Sequence, residues 1–282
     1  MDFSIERIGG VLGAEVLDFD ANSVYPETTY EQLRQALGEH CVLVIRNQVM
    51  SDLDAVSFLD RIGKTFDQWN ITPEFMSPDT QKVYRLSSRK GGSRYAGTTW
   101  HADYAFMERP ADVSCMQIRK LPSIGGDTGF ANMYAAYDAL SDPMKNLLSE
   151  LTGVFDNARR YRLQYSDENA AMTKAQLDAV PVARHPLVIT HPLTGRKALY
   201  CSEALVDTIV ELPVLENRAI VDFLHHHVDQ QQFHYRHVWR ENDLVLVDNR
   251  CTNHCAISDY DINEIRDGIV LCAFMDPSPF EM

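Results

Sequence analysis

The chain has 282 residues, of which 45% are hydrophobic and 23% are charged, and its formal net charge is −14. This acidic balance argues against nucleic acid or an anionic membrane surface as a partner, because both require a basic face. The length and the apolar content permit one large domain with a sizeable core.

No internal repeat, low-complexity tract or linker divides the sequence, so we predict a single domain over residues 1–282. No apolar run approaches the ~20 residues of a membrane span. The first residues, MDFSIERIGG, lack the basic start and apolar stretch of a secretory signal, which predicts a cytoplasmic protein. Scattered cysteines within apolar runs agree with this, because they are typical of buried free thiols in a reducing compartment.

The N-terminal third has a mixed α/β pattern. Apolar residues at helical spacing predict a helix over 31–40, and a β-rich run follows at 41–45. Ser51 and Asp54 form a capping-box pattern that opens a predicted helix over 52–66. Residues 69–97 are rich in Gly, Ser, Pro, Arg and Lys, and we interpret them as a long lid loop interrupted by a strand at 82–86.

The middle of the chain predicts a strand at 112–118, a turn at Gly125-Gly126-Asp127 and a second strand at 128–131. A helix in two pieces is expected over 133–151, with Ser141 capping the second piece and Pro143 in its first turn. Residues 156–180 are polar and carry no clear periodicity.

From residue 186 onward, strand patterns dominate, interrupted by one amphipathic helix at 215–227. The predicted strands cover 187–190, 198–201, 233–239, 244–247 and 269–274. Many short strands after a partly helical N-terminal region favour an α+β fold, with a jelly-roll core and helices packed outside it.

Three residues could bind one metal ion. His101 and Asp103 are two apart, so on a strand their side chains point to the same side, and His254 follows a second strand-like run. Two imidazoles and one carboxylate leave coordination positions open, which suits Fe(II) and dioxygen. The alternative is a surface histidine and aspartate in a loop. The remaining histidines offer no better triad.

Such an iron needs a two-electron co-reductant, and a 2-oxo acid can chelate it through its keto and carboxylate oxygens. The far carboxylate then needs a cation, ideally an arginine. Arg266 precedes the predicted strand at 269–274, and Thr128 follows the glycine turn, so both are candidates. From spacing alone, a surface arginine is an equally good interpretation of Arg266.

Several stretches in order resemble the taurine dioxygenase/dichlorophenoxyacetate dioxygenase family of Fe(II)/2-oxoglutarate oxygenases, over nearly the whole chain. They are IGGVLGAEV, WHADYAF, LPSIGGDTGFANMYAAYDALS, HPLVITHPLTGRKALY and FHYRHVWRENDLVLVDNRCTNH. The resemblance implies a double-stranded β-helix (jelly-roll) core. It also implies that His101, Asp103 and His254 bind the iron and that Thr128 and Arg266 contact 2-oxoglutarate.

One departure from the family concerns the substrate. Many relatives that act on sulfonates or carboxylates carry a second arginine where this chain has Val270, so a taurine-like substrate is not expected. An acid group would then be bound elsewhere, and the candidates are Arg94, Arg159 and Arg160. The candidate pocket residues for a bulkier apolar or aromatic body are Trp69, Tyr95, Tyr104 and Phe106, each of which is equally compatible with the core.

The leading hypothesis is a hydroxylase of a small molecule that uses Fe(II), 2-oxoglutarate and O2 and releases succinate and CO2. Desaturation, cyclisation or epimerisation would need the same ligand set and stays open. Two other classes are a non-redox jelly-roll metalloenzyme and a non-catalytic binding protein. Neither needs the 2-oxo-acid contacts of Thr128 and Arg266. A homo-oligomer is compatible with the sequence.

Overall fold

A computed structural model describes residues 3–68, 75–87, 97–164, 180–261 and 263–280. The helices are α1 Glu27–His40, α2 Asp52–Ile62, α3 Met133–Asp138, α4 Asp142–Leu148, α5 Asn157–Gln164 and α6 Val214–Val228. The first eight strands are β1 Ser4–Arg7, β2 Ala14–Leu17, β3 Val42–Ile45, β4 Lys64–Thr65, β5 Tyr84–Ser87, β6 Val113–Lys120, β7 Thr128–Asn132 and β8 Thr152–Asp156. The others are β9 Val182–Pro186, β10 Val188–Thr190, β11 Lys197–Leu199, β12 Val206–Ile209, β13 His234–His237, β14 Asp243–Asp248, β15 Thr252–Ala256 and β16 Asp267–Phe274.

A large sheet forms one wall of the molecule. Its strand order is β1-β2-β3-β14-β6-β16-β4, and β5 also pairs with β16. Both faces of its centre are covered, which explains why β3 and β14 are continuous apolar runs rather than alternating ones. In β14, Val245 and Val247 face the interior of the jelly roll, whereas Leu244 and Leu246 face the outer helices α1 and α2.

A smaller sheet faces the large one and has the order β13-β7-β15. Side chains of both sheets line the same cavity, Met116 and Val270 from the large sheet and Thr128 and Ala256 from the small one. Two sheets that enclose a common interior are a jelly roll, which confirms the predicted fold class. Further strands form a three-stranded sheet, β12-β8-β9, and the hairpin β10-β11.

The helix signals of the sequence are largely confirmed. Ser51 accepts a hydrogen bond from the Asp54 backbone N–H, and Asp54 closes the capping box at the start of α2. This helix ends at Ile62 rather than at residue 66, because the chain enters β4 to pair with β16. The predicted helix in two pieces is α3 and α4, and Ser141 caps α4 as expected.

Several short elements differ from the prediction. The unpredicted strands are β1, β2, β4, β8, β9, β12 and β15, and α5 lies in the segment that the sequence left unassigned. All six cysteines are free thiols and five are buried, as expected. Within the described ranges, no helix combines the length and apolarity needed to cross a membrane.

Candidate metal centre and active site

A cavity of about 160 Å³ opens between the two sheets. It contains every candidate metal and 2-oxoglutarate residue that the sequence suggested. Its described lining residues are Gln68, Tyr84, Leu86, Gly97, His101, Asp103, Tyr104, Phe106, Met116, Ile118, Thr128, Asn157, Arg160, Trp239, His254, Ala256, Arg266, Val270 and Cys272.

The two candidate histidine ligands are joined through their backbones. The His101 N–H donates to the His254 carbonyl at 3.0 Å, and the His254 N–H donates to the His101 carbonyl at 2.8 Å. This antiparallel bridge is flanked by Gly97, whose carbonyl accepts from the Ala256 N–H at 2.7 Å. A Cβ atom at Gly97 would lie 3.3 Å from the His101 ring, and φ there is +77°. Glycine therefore lets the chain pass close to the first ligand.

Asp103 reaches the site from a turn rather than from a strand. The prediction that His101 and Asp103 share one strand is wrong, because the chain leaves the bridge after His101. Tyr104 has φ of +55°, and its carbonyl accepts from the Met107 N–H. The Tyr104 hydroxyl donates to Gln68 at 2.8 Å, which helps to hold this unfavourable backbone conformation.

The three side chains converge without bonding one another. Asp103 Oδ1 lies 3.8 Å from His101 Nε2, and Asp103 Oδ2 lies 3.8 Å from His254 Nε2. Both distances exceed a hydrogen bond, and all three ligand atoms lie within 4.8 Å of one another. His101 Nδ1 is 2.8 Å from the Thr99 carbonyl, so it carries the proton and leaves the Nε2 lone pair for a metal. The donor set therefore fits a divalent cation.

A polar network orients the Asp103 carboxylate. Ser114 on β6 donates its hydroxyl to Asp103 Oδ2 at 2.7 Å, and the Asn249 amide donates to Ser114 at 2.8 Å. The Asn249 oxygen accepts from the Asp103 backbone N–H at 3.3 Å. Neither Ser114 nor Asn249 could be identified from the sequence, because their role depends on which strands are neighbours.

Burial sets the charge states of the site. It lowers the pKa of His101 to about 3, with a further contribution from His254, and it also lowers the pKa of His254. Both rings are therefore neutral near pH 7, as metal ligands must be. Burial opposes ionisation of Asp103, yet the pKa of Asp103 lies below its ordinary value, and the hydrogen bond from the Ser114 hydroxyl is one of the contacts that lower it.

A second cluster of polar side chains, Arg266, Thr128 and Trp239, lies elsewhere in the cavity. The Arg266 Nε donates to the Gly126 carbonyl at 2.8 Å, and Arg266 Nη2 lies 3.5 Å from Thr128 Oγ1. Trp239 Nε1 donates to Thr128 Oγ1 at 2.9 Å, and the Arg266 guanidinium lies 6.0 Å from the Trp239 ring. Because the Thr128 oxygen already accepts, its hydroxyl hydrogen can be donated to a bound carboxylate.

The predicted glycine turn holds this end together. Gly125 and Gly126 have φ of +79° and +76°, and a Cβ atom at Gly125 would lie 2.5 Å from an Asp259 oxygen. Asp259 accepts from the Gly126 N–H at 3.0 Å, and Arg236 bridges Asp259 and Asp127. The turn thus fixes the carbonyl that Arg266 binds and the start of β7 that carries Thr128.

Some of the candidate substrate residues line the cavity, and others lie outside the described residues. Tyr104, Phe106 and Val270 line the cavity, and their contact with a substrate stays a prediction. Trp69, Tyr95 and Arg94 lie outside the described residues, as does about half of the predicted lid, residues 69–74 and 88–96.

Histidines outside the triad bond elsewhere. His191 is fully buried and lies 3.0 Å from Asp248, which also receives two hydrogen bonds from the Arg250 guanidinium and one from the Arg250 backbone N–H. His227 is buried and bonds the Ala136 carbonyl.

Comparison with known proteins agrees with this geometry. The family model described as "Taurine catabolism dioxygenase TauD, TfdA family" matches residues 4–272. The chain is 32% identical over 272 residues to the alpha-ketoglutarate-dependent 2,4-dichlorophenoxyacetate dioxygenase of Cupriavidus pinatubonensis, covering 91% of this chain and 92% of that protein. It is 26% identical over 265 residues to the alpha-ketoglutarate-dependent sulfate ester dioxygenase of Pseudomonas putida, with coverages of 92% and 86%.

The fold has solved counterparts. A crystal structure of AAD-2 in complex with Mn(II) and N-oxalylglycine superposes with a TM-score of 0.83 at 26% identity, covering 98% of this chain and 99% of that one. The resemblance drawn from the sequence motifs is therefore confirmed, and so is the enzyme class with its Fe(II), 2-oxoglutarate and O2 requirement. The chain belongs to the TauD/TfdA family of dioxygenases.

Proposed function

We propose that the protein hydroxylates an unactivated C–H bond of a small molecule, with His101, Asp103 and His254 binding the iron and with Thr128 and Arg266 binding 2-oxoglutarate. One oxygen atom of O2 would enter succinate and the other the hydroxyl group, with release of CO2. The single observation that supports this most is the convergence of the three candidate ligands and the Arg266–Thr128 pair on one cavity.

Fe(II) would supply the activation of dioxygen, and the residues would supply position and polarity. His101 and Asp103 present their ligand atoms toward His254 across a gap wider than a hydrogen bond. Arg266 and Thr128 offer a cation and a hydroxyl donor to the distal carboxylate of 2-oxoglutarate. Apolar walls from Phe106, Met116 and Val270 would limit the access of water.

The test is the anaerobic addition of Fe(II) and 2-oxoglutarate, which should produce the visible charge-transfer band of the chelate. Arg266→Ala should weaken 2-oxoglutarate binding on the order of 10- to 100-fold while iron still binds. Asp103→Ala should abolish hydroxylation. Absence of the band, together with no succinate release across a broad substrate panel, would contradict the proposal. Product analysis separates hydroxylation from desaturation, cyclisation and epimerisation.

A further inference from the structure

The helix α5 presents two polar residues to the cavity. Asn157 and Arg160 are three residues apart, so they share a face of the helix, and both line the cavity. Arg159 lies on another face, where it bonds the Glu203 carbonyl at 3.1 Å and the Asp207 carboxylate at 3.3 Å. Of the two adjacent arginines, it is therefore Arg160 that faces the cavity.

Asn157 is buried yet incompletely bonded. Its side chain belongs to a residue that is 1% exposed, and its Oδ1 has no hydrogen-bond partner among the described residues. A buried amide oxygen without a donor is costly, so such groups in native proteins usually have a partner. Because Asn157 lines the cavity, a ligand there could supply the missing donor.

Arg160 lines the same cavity as the three candidate metal ligands. Burial has the largest effect in lowering the pKa of His101 and of His254, and the positive charge of Arg160 contributes in the same direction at both. By contrast, the charges that act on Arg266 come from Tyr260 and Asp127. Arg266 bonds the Gly126 carbonyl beside Thr128, whereas Arg160 enters the same cavity from α5.

The charges of the cavity favour an anion at this place. Among its described lining residues, Asp103 is the one carboxylate, whereas Arg160 and Arg266 are permanent cations. Fe(II) would add two positive charges and 2-oxoglutarate two negative ones, so the two together leave the balance of charged side chains among these lining residues unchanged. In a poorly hydrated cavity such a positive balance favours an anionic ligand. Phe106, Met116 and Val270 contribute apolar side chains to the same cavity.

We propose that Arg160 binds the acid group of the substrate, which is a small organic oxyanion with an apolar body, and that Asn157 accepts a hydrogen bond from a donor next to that group. This rests on the proposed function and deepens it. The anion-binding arginine would thus come from α5 and not from the position of Val270, where many relatives carry an arginine.

The test is calorimetric binding to the enzyme loaded with Mn(II) and 2-oxoglutarate, which needs no turnover. The probes are phenoxyacetate, hexyl sulfate and hexane-1-sulfonate, each compared with an uncharged counterpart, phenoxyacetamide or hexan-1-ol. We expect at least one anion to bind at least tenfold more tightly than its counterpart, and the preferred anion identifies the acid group. In Arg160→Ala that affinity should fall on the order of 10- to 100-fold.

Controls separate binding from folding. Arg159→Ala removes the neighbouring arginine and should bind the anions as the unmodified protein does. Arg160→Lys keeps the charge without the bidentate geometry and should retain part of the affinity, and Arg160→Gln replaces Arg160→Ala if that variant does not fold. Equal binding of anions and uncharged counterparts, or unchanged anion binding without Arg160, would overturn the inference. The chelate band of the unmodified protein reports separately on the proposed function.

Discussion

The hydroxyl of Ser114 offers the sharpest test of how the metal centre is built. Ser114→Ala removes the 2.7 Å hydrogen bond to Asp103 Oδ2 and also the acceptor of the Asn249 amide. Asn249 in turn holds the Asp103 backbone N–H at 3.3 Å. Both losses loosen the candidate carboxylate ligand, which lies on a turn and has no strand to hold it.

Two effects on iron affinity oppose each other. Loss of a hydrogen-bond donor makes a carboxylate more basic and by itself strengthens its bond to a metal. Loss of orientation weakens that bond, because the carboxylate must be ordered again when the metal binds. A hydrogen bond to a charged group contributes about 1.5–3 kcal/mol, and 1.4 kcal/mol corresponds to tenfold. We expect orientation to dominate and Fe(II) affinity to fall on the order of 10- to 100-fold, as for other residues that support metal ligands.

The assay is an anaerobic titration with Fe(II). Binding is measured by calorimetry or by the intensity of the chelate band at saturating 2-oxoglutarate. Ser278→Ala is a matched control, because Ser278 donates to the buried carboxylate of Asp112 at 3.0 Å and does not line the cavity. This control should lose thermal stability to a similar extent without a change in iron affinity. An iron dissociation constant within twofold of the original in a folded Ser114→Ala variant would refute the reasoning.

Three further predictions concern separate parts of the molecule. Trp239→Phe removes the indole N–H that donates a hydrogen bond to the Thr128 hydroxyl. The KM for 2-oxoglutarate should rise about five- to tenfold in steady-state kinetics, and iron affinity should not change. Burial raises the pKa of Asp112 to about 6, so its protonation stabilises the fold below pH 4, and this contribution is lost as the pH rises through 6. Asp112→Asn should therefore remove up to about 3 kcal/mol of pH dependence between pH 4 and 6 in denaturant titrations, and an unchanged profile would contradict the assignment. Leu246→Ala should cost about 2–5 kcal/mol of unfolding free energy, because the side chain is fully buried against the outer helices, and a loss below 1 kcal/mol would argue against that packing.

The elements with strong local signals could be predicted from the sequence. A few neighbouring residues are enough to determine each of these elements. They are the apolar runs of β3 and β14, the capping box at Ser51 and the glycine turn at Gly125. The strand β15 could not be predicted in this way, because its sequence, TNHCA, is mostly polar. Its first three residues are buried, and His254 faces the cavity from within it.

The candidate ligands could be predicted, whereas their surroundings could not. Motifs identified His101 and His254, but the hydrogen bond from Ser114 depends on the register between β6 and its neighbours. The choice between Arg159 and Arg160 required the helix α5, and the polar segment that contains it has no periodicity to reveal a helix. Local sequence cannot determine which of two adjacent arginines faces a cavity when the element itself is not predicted.

The backbone bridge between His101 and His254 also links metal loading to correct strand pairing. Neighbouring residues of a strand point to opposite faces, so a shift of β15 by one residue would turn the His254 imidazole away from the cavity and bring in Asn253 or Cys255. A chain with that error could be compact and still lack the third ligand. Retention of iron would therefore separate correctly paired molecules from mispaired ones during refolding, with no measurement of activity.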